Sequence, residues 1–335
     1  MKLPAAKGFG LSAFLLCAGL AAASGQSASQ KVFYFPKPIR PNPYVAPMQA
    51  RVRIADLKAR HKGQDNWSET VVADHYNHIE VISAAPGSKI AMHLHADSPE
   101  YWYIEQGEIR FEIEDPPGQV HDIDAKAGSL VFCPERMLHS LEVIGSKPAI
   151  RIQVTLAEAS SIYAEKPDHA SPGKSYIPAT VWTYPNPDEV PAGHGQPDRL
   201  SFDLDQMLAS HGSKREWSTL VIVRNRAHAN IICSDSRDVK PKPGDRGHFH
   251  DFPETWIVMR GQLQYTIEGV RPFIASQGDI VYAPSTRWHQ MLPVGEGSAC
   301  RLAMTPFPNG NHLFDPPASG GAGHPKQIKE GAGPG

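Results

Sequence analysis

Short apolar-rich runs (HIEVIS, YWYIE, IRFEIE, SLVFC, AIRIQVTL), separated by Gly, Pro and Asp, set the rhythm of the chain between residues 50 and 156. Strands a few residues long joined by tight turns give that rhythm, so an all-β fold is predicted. In IRFEIE the charged Arg110 and Glu112 alternate with Ile109, Phe111 and Ile113, as on a strand with one face in water. SFDLDQMLAS, near 201–210, departs from the pattern and reads as a helix, with Ser201 or Asp203 placed to cap it. Residues 31–47 (KVFYFPKPIRPNPYVAP) are rich in Pro and aromatics, which predicts an extended arm laid over another part of the protein. A Pro, Ser and Gly segment from about 157 to 196 and a Gly/Pro tail after Phe307 mark further breaks.

The two blocks between these breaks resemble each other. Glu100-Tyr-Trp-Tyr-Ile-Glu-Gln-Gly107 recurs as Glu254-Thr-Trp-Ile-Val-Met-Arg-Gly261, and Arg151-Ile-Gln-Val-Thr155 recurs as Arg301-Leu-Ala-Met-Thr305. A duplicated β-domain follows. The expected organisation is a leader at 1–25, an arm at 26–50, a first domain at 51–156, a linker at 157–199, a second domain at 200–306 and a tail at 307–335. The leader rests on Lys2 and Lys7, the apolar stretch Phe9 to Ala23 and the small residues Ala21 to Gly25, together the pattern of a secretory signal peptide. That stretch is short for a membrane span, so a secreted or periplasmic protein free of the membrane after cleavage is expected.

Composition narrows the partners. With 33 Lys+Arg against 35 Asp+Glu and a formal net charge of -2, there is no basic surplus to neutralise phosphates, which argues against nucleic acid. Cys17 would leave with the leader. Cys133, Cys233 and Cys300 then allow at most one internal disulfide, and all three are expected as buried apolar-like thiols.

The chemistry lies in the histidines. Block one reads Gly87-x5-His93-x-His95-x4-Glu100-x6-Gly107, then Gly128-x5-Pro134-x4-His139. On a strand, His93 and His95 face the same side, so both imidazoles reach one ion. Ala96-Asp97-Ser98-Pro99 is turn chemistry that returns Glu100 on the next strand, and His139 has to arrive from a distant strand of a closed sheet. Block two repeats the set as His248, His250, Glu254 and His289 at near-identical spacing. Three imidazoles and a carboxylate suit a divalent transition metal, one per block. Mn or Fe is favoured, with Cu, Ni and Zn left open. Four protein ligands on an octahedral ion leave two positions for water, substrate or dioxygen.

On these motifs the sequence resembles the cupin superfamily, in particular its two-domain bicupin branch, over residues 65–156 and 217–306. The resemblance implies two antiparallel jelly-roll β-barrels, each holding a metal through three histidines and one glutamate. This chain departs from the pattern at Arg136 and Thr286, where the second motif has Gly, and at Gly244, which is separated from His248 by three residues where the pattern has five.

Trp102 and Trp256, two residues beyond each ligand Glu, share its face and form either a substrate wall or barrel packing. Arg246 shares a face with His248, where block one has Ala91, and is a candidate clamp for a substrate carboxylate or a rim residue. Gln153 places an amide in one domain where the other has Ala303. His75 and His78 have no partner pattern and are read as ordinary polar residues. Oxalate decarboxylases among the bicupins carry Arg three residues before the first metal His. Ile90 and Asp245 stand there, with Lys89 and Arg246 offset by one, so oxalate chemistry requires a bulged strand. The favoured expectation is a quercetinase-like, dioxygenase-type oxidoreductase acting on a small organic acid or phenol, with Glu100 or Glu254 doubling as proton acceptor. A metal-dependent decarboxylase, lyase or isomerase is the alternative, and a non-catalytic binding bicupin the third class. A homo-oligomer is left open, and substrate choice is assigned to the loops Asp115–Gly118, Glu135–Leu138 and Ser285–Trp288.

Overall fold

The computed structural model describes residues 34–114, 118–166, 175–178, 199–224, 226–237, 244–307 and 312–315. The expected leader, most of the linker and tail, and most of the Asp115–Gly118 loop lie outside them. Among the described residues no helix is long and apolar enough to cross a membrane.

The chain opens with β1 (Arg51–Val52) and α1 (Ile54–Arg60). Then come β2 (Trp67–Ala73), β3 (Asn77–Ala84), β4 (Lys89–His95), β5 (Glu100–Gln106) and β6 (Glu108–Glu114). The first half closes with β7 (Val120–Lys126), β8 (Ser129–Cys133), β9 (His139–Val143), β10 (Ala149–Leu156) and β11 (Ser161–Tyr163). The second half repeats the plan: β12 (Ser201–Asp203), α2 (Leu204–His211), β13 (Trp217–Arg224), β14 (Ala227–Asp235), β15 (His248–Phe249) and β16 (Glu254–Arg260). It continues with β17 (Gln262–Ile267), β18 (Phe273–Ser276), β19 (Ile280–Ala283), β20 (His289–Val294), β21 (Ser298–Thr305) and β22 (Leu313–Phe314).

Each half is a jelly-roll barrel of two antiparallel sheets. In the first, a six-stranded sheet ordered β12-β8-β5-β10-β3-β2 packs on the five-stranded β11-β4-β9-β6-β7. In the second, β1-β19-β16-β21-β14-β13 packs on β18-β17-β20-β15-β22. Trp102, Ile104, Phe111, Val131 and Leu141 fill the first barrel, and Trp256, Val258, Leu263, Tyr265 and Val281 the second. The other faces of the two six-stranded sheets meet in the largest core, where Tyr101, Tyr103, Leu130 and Ile152 pack with Ile257, Met259, Leu302 and the helix residues Leu57 and Met207. Burial on both faces explains why β5, β8 and β16 are nearly continuous apolar runs, whereas β6 alternates outward Arg110 and Glu112 with buried Ile109, Phe111 and Ile113.

Two corrections to the sequence reading concern the domain edges and the helices. Arg51 and Val52, assigned to the first domain, pair with Val281 and Ile280 of the second, while Ser201–Asp203 pairs with Val131–Ser129 of the first. The halves exchange their leading strands, a long-range pairing that local periodicity cannot encode. The helix expected at 201–210 begins at Leu204, with the Asp203 carboxylate accepting from the Gln206 amide at 3.0 Å. Its counterpart α1 is missing from the sequence reading because it is seven residues long and has no side-chain cap.

From Lys37 the arm lies on the second barrel. The Arg287 guanidinium donates to the Asn42 carbonyl at 2.8 and 2.6 Å and stands over the Tyr44 ring, whose hydroxyl donates to the Tyr282 carbonyl at 3.1 Å. The cysteine expectation also changes. Cys233 and Cys300, direct partners in the β14/β21 ladder, form a disulfide, and among the described residues Cys133 alone is a buried thiol.

Candidate metal centres and the barrel interior

His93, His95, Glu100 and His139 offer donor atoms that all lie within 4.8 Å of one another, and so do His248, His250, Glu254 and His289. In the first barrel Nε2 of His95 and of His139 stand 2.9 and 2.8 Å from Glu100 Oε2, with His93 Nε2 at 3.7 Å. In the second, His250 and His289 Nε2 lie 2.9 and 3.3 Å from Glu254 Oε2, and His289 Nε2 is 3.1 Å from His248 Nε2.

The backbone selects which nitrogen faces inward. Nδ1 of His93, His95 and His139 donates to the carbonyls of Ala91, Ser160 and Met137, and Nδ1 of His250 and His289 to those of Phe252 and Arg287. Those bonds leave the Nε2 lone pairs of the first barrel converging on an ionised carboxylate. Such a cluster of acceptors repels itself unless its rings carry extra protons or a cation sits among them. The donor set therefore fits one divalent metal ion per barrel. Burial alone would raise the Glu100 carboxyl, but with no ion between them His139, His93 and His95, each once it carries an extra proton on Nε2, outweigh burial and hold it well below the ordinary range. Glu254 is held low in the same way by His250 and His289. Burial, with His289 alongside, pushes His248 down to about 2, which favours the neutral imidazole that ligation needs.

Arg136 and Thr286, which stand where Gly is expected, keep the backbone conformation that Gly would take. Both take the left-handed backbone that glycine adopts freely, at φ 69° and 66°. Their amides donate to the His95 and His250 carbonyls at 2.7 Å, tying the turn before the third histidine to the strand that carries the first two. Gly247, φ 78°, is required by close approach, since a Cβ there would lie 2.0 Å from the His289 carbonyl oxygen.

Trp102 and Trp256 are fully buried, edge-on to His139 at 5.5 Å and His289 at 5.1 Å between ring centroids. Arg246 does not enter the cavity. It is exposed, stacked on Trp288 at 4.1 Å and paired with Asp315, because Gly247 swings the chain just before His248. Strand β4 does bulge between Ile90 and His93, yet it turns Ile90 toward the barrel core and leaves Lys89 exposed and paired with Glu142 at 3.0 Å. No cation stands three residues before His93 or His248.

The register sets Gln153, a candidate from sequence, beside Glu80 and Arg151, which sequence reasoning passed over. Gln153 lies between Trp102 of β5 and Glu80 of β3, and Arg151 between Ile104 and Ile82, on the face that carries Glu100. Arg151 is buried, donates through Nε to Gln153 Oε1 at 3.3 Å, and has no acceptor for Nη1. Burial lowers its guanidinium to about 10, still charged at neutral pH. Glu80 accepts from the Thr70 hydroxyl at 3.2 Å and stands 3.5 Å from His78 Nε2. Because β14 repeats β3 in register, His78, Glu80, Arg151 and Gln153 correspond to His228, Asn230, Arg301 and Ala303. The signal was the recurrence of His-x-Glu at 78–80 as His-x-Asn at 228–230.

The cupin domain model matches this chain twice, at residues 80–154 and 237–305. The chain is a two-domain cupin. No curated protein sequence matches it. Among solved structures, a single-site variant of oxalate decarboxylase from Bacillus subtilis is similar at 16% identity over 83% of this chain and 81% of that one, with a TM-score of 0.51. A cupin 2 conserved barrel domain protein from Leptotrichia buccalis is similar at 13% identity over 76% of this bicupin and 95% of that chain, also with a TM-score of 0.51. These likenesses establish a shared fold.

Proposed function

We propose that this bicupin is an exported metal-dependent enzyme that cleaves a carbon–carbon bond beside the carboxylate of a small organic acid, and that the first barrel carries the reaction. The observation that carries this reading is the row Glu80–Gln153–Arg151 beside a complete His3Glu cage, which the second barrel reduces to Asn230, Ala303 and Arg301.

A divalent ion, with Mn or Fe preferred, would supply Lewis acidity toward a substrate oxygen. The protein's residues do the rest. Arg151 Nη1 and the Gln153 amide, oriented by the 3.3 Å bond between them, receive the substrate carboxylate. Glu80, which is not a ligand, takes or gives the proton, so the ligand carboxylate of Glu100 need not leave its histidines. Trp102 and Ile90 exclude water from the inner wall.

The oxygen-consuming, dioxygenase-type reading draws on that apolar wall and on the lack of a cation three residues before His93. The non-oxidative decarboxylase reading is supported by Glu80, because loss of carbon dioxide leaves a carbon that a nearby acid must protonate. The Cys233–Cys300 disulfide supports an oxidising compartment, in keeping with the leader expected at 1–25.

The test is oxygen uptake and carbon dioxide release with a panel of keto acids and phenols, using Glu80→Gln and Arg151→Met with metal content measured in parallel. Removing a general acid–base should lower kcat by about 100-fold or more with both metals retained. Full turnover in Glu80→Gln, or turnover that survives His93→Ala/His95→Ala, would refute the assignment to the first barrel.

A further inference from the structure

We propose that His312 is a fifth protein ligand of the metal centre in the second barrel, so that this centre keeps one open position where the first keeps two. The inference rests on the reading of the His3Glu cluster as a metal cage.

His312 precedes β22, which pairs with β15 in the register Leu313↔Phe249 and Phe314↔His248. The equivalent strand of the first barrel, β11, pairs Tyr163 with His93 and Ser161 with His95. Phe314 thus stands where Tyr163 does, and His312, two residues earlier, stands where Ser161 does, alongside the second histidine of the cage. Its ring centroid lies 4.6 Å from His248 and 5.3 Å from His250. The rings of His248, His250 and His289 are spaced from one another by 4.5, 4.9 and 5.6 Å. His312 is therefore placed relative to two ligands as the ligands are placed relative to each other, just outside the set of four.

The strand that carries it is anchored. Arg246 donates to both carboxylate oxygens of Asp315 while stacked on Trp288, and the Phe314 ring packs 5.3 Å from His248. This gives Arg246 a positioning role in place of the substrate clamp expected from sequence. Four protein donors leave an octahedral ion two positions, and a fifth leaves one. Substrate chelation, or substrate beside dioxygen, needs two.

The test uses Co(II) in full-length His93→Ala/His95→Ala protein, in which the second cage alone binds. Addition of His312→Ala should weaken Co(II) at least tenfold and change its visible absorption, and free imidazole should restore both. His312→Gln serves if the alanine variant folds poorly, and Arg246→Gln should give a smaller loss. Unchanged affinity and spectrum in the His312 variants would overturn the fifth-ligand assignment while the cage stands. A parent protein that binds no Co(II) would overturn the cage and this inference together.

Discussion

Reducing the Cys233–Cys300 disulfide should lower the stability of the second barrel by about 4 kcal/mol. The two residues are fully buried cross-strand partners, so β14 and β21 already hold them together in the folded state. The link acts mainly on the unfolded chain, where it closes a loop between residues 67 apart in sequence. Entropy of closure for a loop of that length is about 15 cal/mol/K, or about 4 kcal/mol at 25 °C. That corresponds to roughly a thousandfold change in the unfolding equilibrium. Urea titration of oxidised and fully reduced protein, with thiols counted to verify reduction, measures it. The reduced protein should show a lower midpoint and a steeper dependence on urea, because its unfolded chain exposes more surface. Stabilities agreeing within about 1 kcal/mol would refute the reasoning, and would also remove the support that the disulfide lends to export.

Four further variants probe other levels of the structure. His93→Ala/His95→Ala and His248→Ala/His250→Ala should each remove one metal equivalent by elemental analysis and leave the other, because each cage is local; unchanged metal content in either would contradict the assignment. Arg287→Ala withdraws a buried guanidinium from the Asn42 and Glu268 carbonyls and should destabilise the fold by about 3 kcal/mol, read as a fall in Tm. Tyr103→Phe deletes a buried hydroxyl that donates to the Met259 carbonyl of the other barrel at 3.1 Å, and should cost about 1–2 kcal/mol without altering metal content.

What could be read from the sequence depended on whether the cause was local. Strand parity put His93 and His95 on one side, and the duplication gave the second cage its members, because ligand spacing is set along one or two strands. Gln153 was legible from the repeat, but its neighbours Glu80 and Arg151 were hidden because the row forms across β3, β10 and β5, whose register is fixed by long-range pairing. The misreading of Arg246 has a local origin. Counting alternate residues back from His248 assumes a continuous strand, but β15 is only two residues long and begins at His248 itself, with Gly247 at positive φ before it. The arm was legible as extended from its prolines, whereas its resting place on the second barrel depends on Arg287, far along the chain. The exchange of β1 and β12 was invisible for the same reason.

Divergence of the two barrels follows from which positions the fold leaves free. The ligand imidazoles are held by backbone carbonyls, and Arg136 and Thr286 tie the ligand strands together through their amides, so changes there disturb the cage itself. The six-stranded sheets are buried on both faces, and their outer faces form the core shared by both barrels, so a loss of packing in either half destabilises the whole. Positions on the interior face of the sheet that hold none of the ligands carry neither constraint. Glu80 against Asn230 and Gln153 against Ala303 change charge and hydrogen bonding while leaving the ladders intact. A duplicated barrel can therefore keep a second metal centre for the sake of the common fold and lose the groups that we propose make the first one reactive. On this basis, disabling the second cage should lower Tm more than turnover, and disabling the first should do the reverse.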